Sequence, residues 1–239
     1  MAEFIVEERV TFLSGPLRLD GVLAYPQVAA PERAVLVCSP HPHFAGDMHN
    51  NVVSAIARRL AVHAVVLRFD YRGVGESEIS LESDESTFDY WTDVEETKDY
   101  TGAAEDVKSA AQTLLDATGA LDIGLFVVGY SFGAATGMQF GHDNSRVHGM
   151  VAIAPPLGKV SFEFLAGCPK PSLHMIGVKD FLYAQDKVEA FRTMLRPAGR
   201  VVILDEADHF FRGDEDLLAR EVEDFLRGTY KAREQRKAV

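Results

Sequence analysis

Residues 123–138 read IGLFVVGYSFGAATGM, and the way this stretch folds decides the architecture. An apolar run, 123–128, stops at Gly129, and a stretch of small residues with helical character follows Gly133. Six apolar residues bounded by glycine read as a strand buried on both faces, the kind found in parallel sheets. The five residues between, Gly129-Tyr130-Ser131-Phe132-Gly133, must then turn sharply from strand into helix. Flanking glycines allow the strand and helix to pack closely around such a turn, which would lift the Ser131 hydroxyl into the open. The alternative is a serine that only caps the helix.

Working outward, apolar runs alternate with helical patterns. Residues 10–13 and 19–25 read as two strands of an edge hairpin around Ser14-Gly15-Pro16. Further strands are predicted over 34–38, 64–69, 149–154, 172–177 and 200–204. Helices are predicted over 51–62 with Asn50 as cap, and over 103–117, 134–140, 185–194 and 215–226. Strands alternating with helices make parallel βαβ units, so the expected class is α/β, a mostly parallel central sheet with helices on both faces. No repeat or linker interrupts residues 1–239, which read as one domain with a loose tail over 228–239. Only 155–171 separate two of the strands, too few residues for a large cap domain.

In an open parallel sheet, ligands bind outside the carboxyl ends of the strands. Three strands end in residues suited to nucleophilic catalysis: Ser131 after 123–128, Asp180 after 172–177 and His209 after 200–204. A serine hydroxyl is a poor nucleophile at neutral pH unless a base takes its proton. His209 is the candidate base, and Asp180 the carboxylate that sets its tautomer and stabilises the imidazolium. Asp205, Glu206 and Asp208 lie nearer His209 in sequence. A side chain rarely reaches its neighbour's ring, however, whereas Asp180 approaches from a separate strand. By chance, G-x-S-x-G would occur roughly 0.08 times in a chain of this composition. Its weight comes from the strand–turn–helix context and the Asp and His that follow.

Composition narrows the partners. The chain of 239 residues is 47% hydrophobic and 25% charged, with a formal net charge of −12. Nucleic acid or an anionic membrane would require a basic face, so neither is expected. MAEFIVEERV carries acids and no long apolar core, and no run approaches the roughly 20 residues that span a bilayer. Cys38 and Cys168 cannot make a disulfide framework. A cytoplasmic protein is the expectation.

With these residues in place, the chain resembles the α/β-hydrolase superfamily over nearly its whole length. GYSFG (129–133) is similar to the nucleophile elbow, GVKD (177–180) to the acid loop and EADHFF (206–211) to the histidine loop. FDYRGVGES (69–77) is similar to the segment after the fourth strand. SPHPHFAGDMHNNVV (39–53) resembles the small capless subgroup related to dienelactone hydrolase, although that enzyme has cysteine where Ser131 stands. The resemblance implies an oxyanion hole made by the backbone N–H of Phe132 and one from His43 or its neighbour. It also implies a carboxylesterase-like serine hydrolase that needs no cofactor and takes a small-molecule acyl ester. A thioesterase or C–C bond hydrolase would use the same triad, and a homodimer is left open. Phe44, Tyr130, Tyr90 and Trp91 are the candidate substrate-binding residues.

Two other function classes stay in view. His41, His43, Asp47 and His49 fall within nine residues and could hold a metal in a metal-dependent hydrolase, with Ser131 incidental. A non-catalytic binding module on a hydrolase fold is also compatible, since fold does not fix function. Residues 76–106 hold 12 of the 36 acids and the one tryptophan, Trp91. They read either as a solvated acidic loop or as a flap whose Tyr90 and Trp91 cover the pocket. Asp70 and Arg72 read as a structural pair pinning 71–77, and His174 as a core residue.

Overall fold

The computed structural model describes residues 4–237 except 120, 122 and 196. The chain runs β1 (Ile5–Ser14), β2 (Leu17–Pro26), β3 (Arg33–Cys38), α1 (Asn51–Leu60), β4 (Ala64–Phe69), α2 (Thr87–Thr97) and α3 (Thr101–Ala117). It continues β5 (Gly124–Tyr130), α4 (Phe132–Asp143), β6 (Val147–Ile153), β7 (Ser172–Gly177), α5 (Gln185–Met194), β8 (Gly199–Leu204) and α6 (Glu215–Lys237). The strands form one sheet in the order β1-β2-β4-β3-β5-β6-β7-β8. β1 and β2 are antiparallel to each other, and β2 to β4; β4, β3 and β5 to β8 are mutually parallel. This is the α/β-hydrolase architecture, and between β6 and β7 there is no cap domain, only a loop with a single short 3-10 turn at Glu163–Leu165.

Burial explains why the sequence reads this way. Every residue of β3, β4, β5 and β7 is buried, so each reads as a mainly apolar run, interrupted only by Arg33, Arg68, Ser172 and His174. Alternate residues serve opposite faces: Val35 and Val37 pack under α1 and α6, Leu36 and Leu67 under the α2–α4 side. Each such aliphatic side chain contributes about 1.5–3 kcal/mol when fully removed from water. β3 lies between β4 and β5, so the chain leaving β3 and the chain leaving β5 turn to opposite faces of the sheet. The crevice between those two strand ends is where such folds bind ligands.

Four expectations need correction. β1 and β2 extend well past 10–13 and 19–25, because exposed polar residues such as Glu7 and Glu8 interrupt the apolar pattern of an edge strand. Much of 76–106 is helix rather than loop. Ser86 caps α2 reciprocally with Asp89, a Ser-x-x-Asp capping box that the acidic composition obscured. Arg72 pairs with Asp106 and not with Asp70. The fully buried Asp106 accepts from the Arg72 guanidinium at 2.8 Å, from its backbone N–H at 3.0 Å and from Ser14 Oγ at 2.7 Å. Asp70 instead accepts the Met48 N–H at 2.7 Å, tying the end of β4 to the loop that follows β3, and burial pushes its carboxyl up to about 7. Finally, α6 runs to Lys237 through the segment expected to be loose, which is rich in the helix formers Ala, Arg, Glu, Gln and Lys. Residues 238 and 239 lie outside the described residues.

Candidate active site

Ser131 sits between β5 and α4 with φ 53° and ψ −111°, a backbone conformation costly for any residue with a Cβ. It is held there by tight packing and by its own N–H, which donates to Ile153 O at 2.8 Å. The flanking glycines are obligatory at this turn. A Cβ on Gly129 would stand 2.1 Å from Gly133 O, and one on Gly133 would stand 2.2 Å from Cys38 O. Glycine therefore lets β5, α4 and the end of β3 meet around the serine.

The structure brings Ser131, His209 and Asp180 into one chain of contacts. Ser131 Oγ lies 3.0 Å from His209 Nε2, and His209 Nδ1 lies 2.7 Å from Asp180 Oδ2. The second Asp180 oxygen accepts the Leu182 N–H at 2.7 Å, which fixes the carboxylate plane. All three side chains are buried, so their mutual attraction is little screened. Two of the three rival acids are engaged elsewhere. Asp208 Oδ1 accepts the N–H groups of Phe210 and Phe211 at 2.8 and 3.0 Å, and Glu206 pairs with Lys179.

Phe132 opens α4, so its N–H is one of the helix's unpaired N-terminal donors and points where the helix dipole favours negative charge. The expected second donor, the His43 N–H, is turned onto His41 Nδ1 at 3.3 Å. His41 and Phe44, not His43, line the cleft on this side. His41 is packed edge-on against Trp91 and Phe132, with ring centroids 5.5 and 5.3 Å away. Burial, with His43 beside it, holds the His41 imidazole down to about 4, so it is neutral.

The cleft above Ser131 has a volume of about 410 Å³, counted to include its mouth. Phe181 and Leu182 line it with His209, and Tyr100, whose ring packs 5.1 Å from Phe132, lines it with Ala135 and Val160. Phe181 leans over the His209 ring at 4.6 Å, and Phe44 lies 6.1 Å from Phe181. Of the four expected substrate-binding residues, only Phe44 faces this space. Tyr130 is buried beneath it and donates its hydroxyl to His209 O at 2.6 Å, anchoring the histidine loop. Trp91 is 1% exposed, behind His41 and Phe132, because α2 turns its Trp91 and Val94 face into the core. Tyr90 packs beside it at 5.4 Å. The acidic segment thus forms a wall of the site, and what it contributes to the cleft is Glu95 and Tyr100. Phe181 was missed in the sequence although it directly follows Asp180. Its position beside a candidate catalytic residue was the available signal.

The His41 and His43 rings lie 4.9 Å apart, but no third ligand joins them among the described residues. His41 points inward, His43 stacks on Phe88 at 4.3 Å, and the Asp47 carboxylate accepts the His49 N–H at 2.7 Å. Among the described residues no three His, Cys, Asp or Glu side chains are grouped to hold a metal ion, and no helix is long and apolar enough to cross a membrane.

Residues 40–222 match the family model for the alpha/beta hydrolase fold. The chain belongs to that family. The match begins beside the loop after β3 and ends within α6, so it contains Ser131, Asp180 and His209. This alpha/beta hydrolase is 31% identical over 227 residues to an uncharacterised protein of Rickettsia prowazekii (strain Madrid E), covering 90% of this chain and 87% of that one. A crystal structure of a protein of unknown function from Agrobacterium tumefaciens, proposed to be an alpha/beta hydrolase, is similar at TM-score 0.74. It is 26% identical, with 93% and 95% of the two chains covered. An α/β serine hydrolase without lid from Xanthomonas campestris shares the fold at TM-score 0.73 and 24% identity, over 92% and 94% of the chains.

Proposed function

We propose that this alpha/beta hydrolase cleaves acyl esters through a covalent intermediate on Ser131. The observation that carries the reading is the contact chain from Ser131 Oγ to His209 Nε2 at 3.0 Å and from His209 Nδ1 to Asp180 Oδ2 at 2.7 Å, at the floor of an open cleft. Ser131 Oγ attacks the ester carbonyl while its proton passes to His209 Nε2, and the Asp180 carboxylate stabilises the imidazolium. The carbonyl oxygen becomes an oxyanion that accepts the Phe132 N–H, and each such donor is worth roughly 3–4 kcal/mol in the transition state. The His43 N–H joins it only by releasing His41 Nδ1. Collapse breaks the C–O bond, and the leaving alkoxide takes the proton from His209. A water then gives its proton to His209 as it attacks the acyl-enzyme, releasing the carboxylic acid and restoring Ser131.

The family and the lidless relative support a hydrolase; the ester bond and the residue roles are this reading's own. The test is labelling with a fluorophosphonate, read by intact mass, alongside hydrolysis of p-nitrophenyl esters. One adduct on Ser131, and loss of both labelling and hydrolysis in Ser131→Ala, are expected. A fully active alanine variant, or an adduct on a different serine, sinks the assignment.

A further inference from the structure

Beyond the cleft lies a second depression that the reaction above does not use. It is an open groove that shares Tyr100, Ala135 and Val160 with the catalytic cleft, so the two adjoin. Ala104, Phe140 and Phe164 line its further part, from α3, α4 and the loop between β6 and β7. Lys98 and Lys108 at its edge are offset by Asp99 and Asp143, so it offers no net charge to an ionic ligand.

The geometry decides which end of an ester would enter. The leaving oxygen must lie within reach of His209 Nε2 to be protonated, so the alcohol portion is directed toward His209, Phe181 and Leu182. The groove shares none of those three residues. The remainder of the substrate, attached to the carbonyl carbon, is directed away from His209, and the groove adjoins the cleft at residues outside that group. We infer that the acyl chain of the substrate passes Tyr100, Ala135 and Val160 and lies in this groove, which makes the substrates esters of unbranched, medium-length apolar acids. The inference rests on the acyl-enzyme reading above. It assigns to α3 and the β6–β7 loop the selection of acyl length.

Two ester series separate the possibilities, one varying the acid with p-nitrophenol held constant and one varying the alcohol of an acetate. In the first series kcat/KM should rise by up to about fourfold per methylene, the factor for full burial of a CH₂. Ala104 is exposed on α3 and lies in the groove but not in the catalytic cleft, so Ala104→Trp fills the groove on a folded helix. The octanoate-to-acetate ratio of kcat/KM should fall at least about tenfold, the equivalent of roughly two buried methylenes. Ala104→Glu, which sets a charge against the chain, should move the ratio in the same direction. Hydrolysis with an unchanged acyl-length profile in both variants overturns the groove assignment while leaving the Ser131 reading intact. A profile that shifts with alcohol length instead makes the groove a leaving-group site and also overturns it. No hydrolysis and no fluorophosphonate adduct in the unsubstituted protein overturn both readings together.

Discussion

Replacing Trp91 by alanine distinguishes a wall from a flap. In the structure the indole is 1% exposed and contacts the rings of His41, Tyr71, Tyr90 and Phe132 at centroid distances of 5.4–6.0 Å. Removing a side chain of this size from a packed core costs about 3–5 kcal/mol, the transfer loss plus the cavity left behind. Against a total stability of roughly 5–15 kcal/mol, that is a large fraction. For a domain of this size each kcal/mol moves Tm by about 2–4 °C, so Trp91→Ala should melt roughly 6–20 °C lower. Thermal unfolding followed by far-UV circular dichroism reads this directly, without needing the lost fluorophore. Trp91→Phe should be far milder. The Trp91 indole N–H is buried without a partner among the described residues, so phenylalanine loses apolar area but also removes an unsatisfied donor worth about 1–3 kcal/mol. A Tm loss in Trp91→Ala below about 2 °C, with a changed ester profile, would refute the packing argument and restore the mobile flap.

Asp180→Asn should lower kcat by about 10⁴-fold through the wrong imidazole tautomer, whereas Asp208→Asn, which disturbs only a turn, should do far less; steady-state ester kinetics of both variants check this, and a reversed order refutes the assignment of Asp180. His174 is fully buried, with Nε2 2.9 Å from Ser172 Oγ, and burial holds its imidazole down to about 3, below the ordinary 6.5. The unfolded chain therefore takes up the proton first, and this contribution to stability is present above about pH 6.5 and lost as pH falls toward 3. Urea midpoints at pH 7 and pH 4.5 should differ less in His174→Leu than in the unsubstituted protein, and an equal difference in the two refutes the attribution.

Much of the site was legible because its chemistry sits at strand ends. Ser131 and Asp180 each follow a strand buried on both faces, which makes the run stand out in sequence, and His209 follows the half-buried β8, whose residues 201–204 still read as an apolar run. The edge strands and α2 were harder to read. β1 keeps one face in water, so its polar residues mask the strand, and α2 is acidic on the outside while only Trp91 and Val94 carry its buried face.

The sequence by itself therefore determined the α/β class, the succession of strands and helices along the chain and the three residues that meet at strand ends, since periodicity and local turn chemistry are properties of neighbouring residues. Only the tertiary structure decided which partners long-range packing selects. Arg72 meets Asp106 across 34 positions of chain, Tyr130 reaches His209 O, and Trp91 goes behind the cleft while Tyr100 faces it. Those choices depend on how α2, α3 and the histidine loop dock on the sheet. Docking is set by the shape of surfaces assembled from distant segments, which no local pattern encodes.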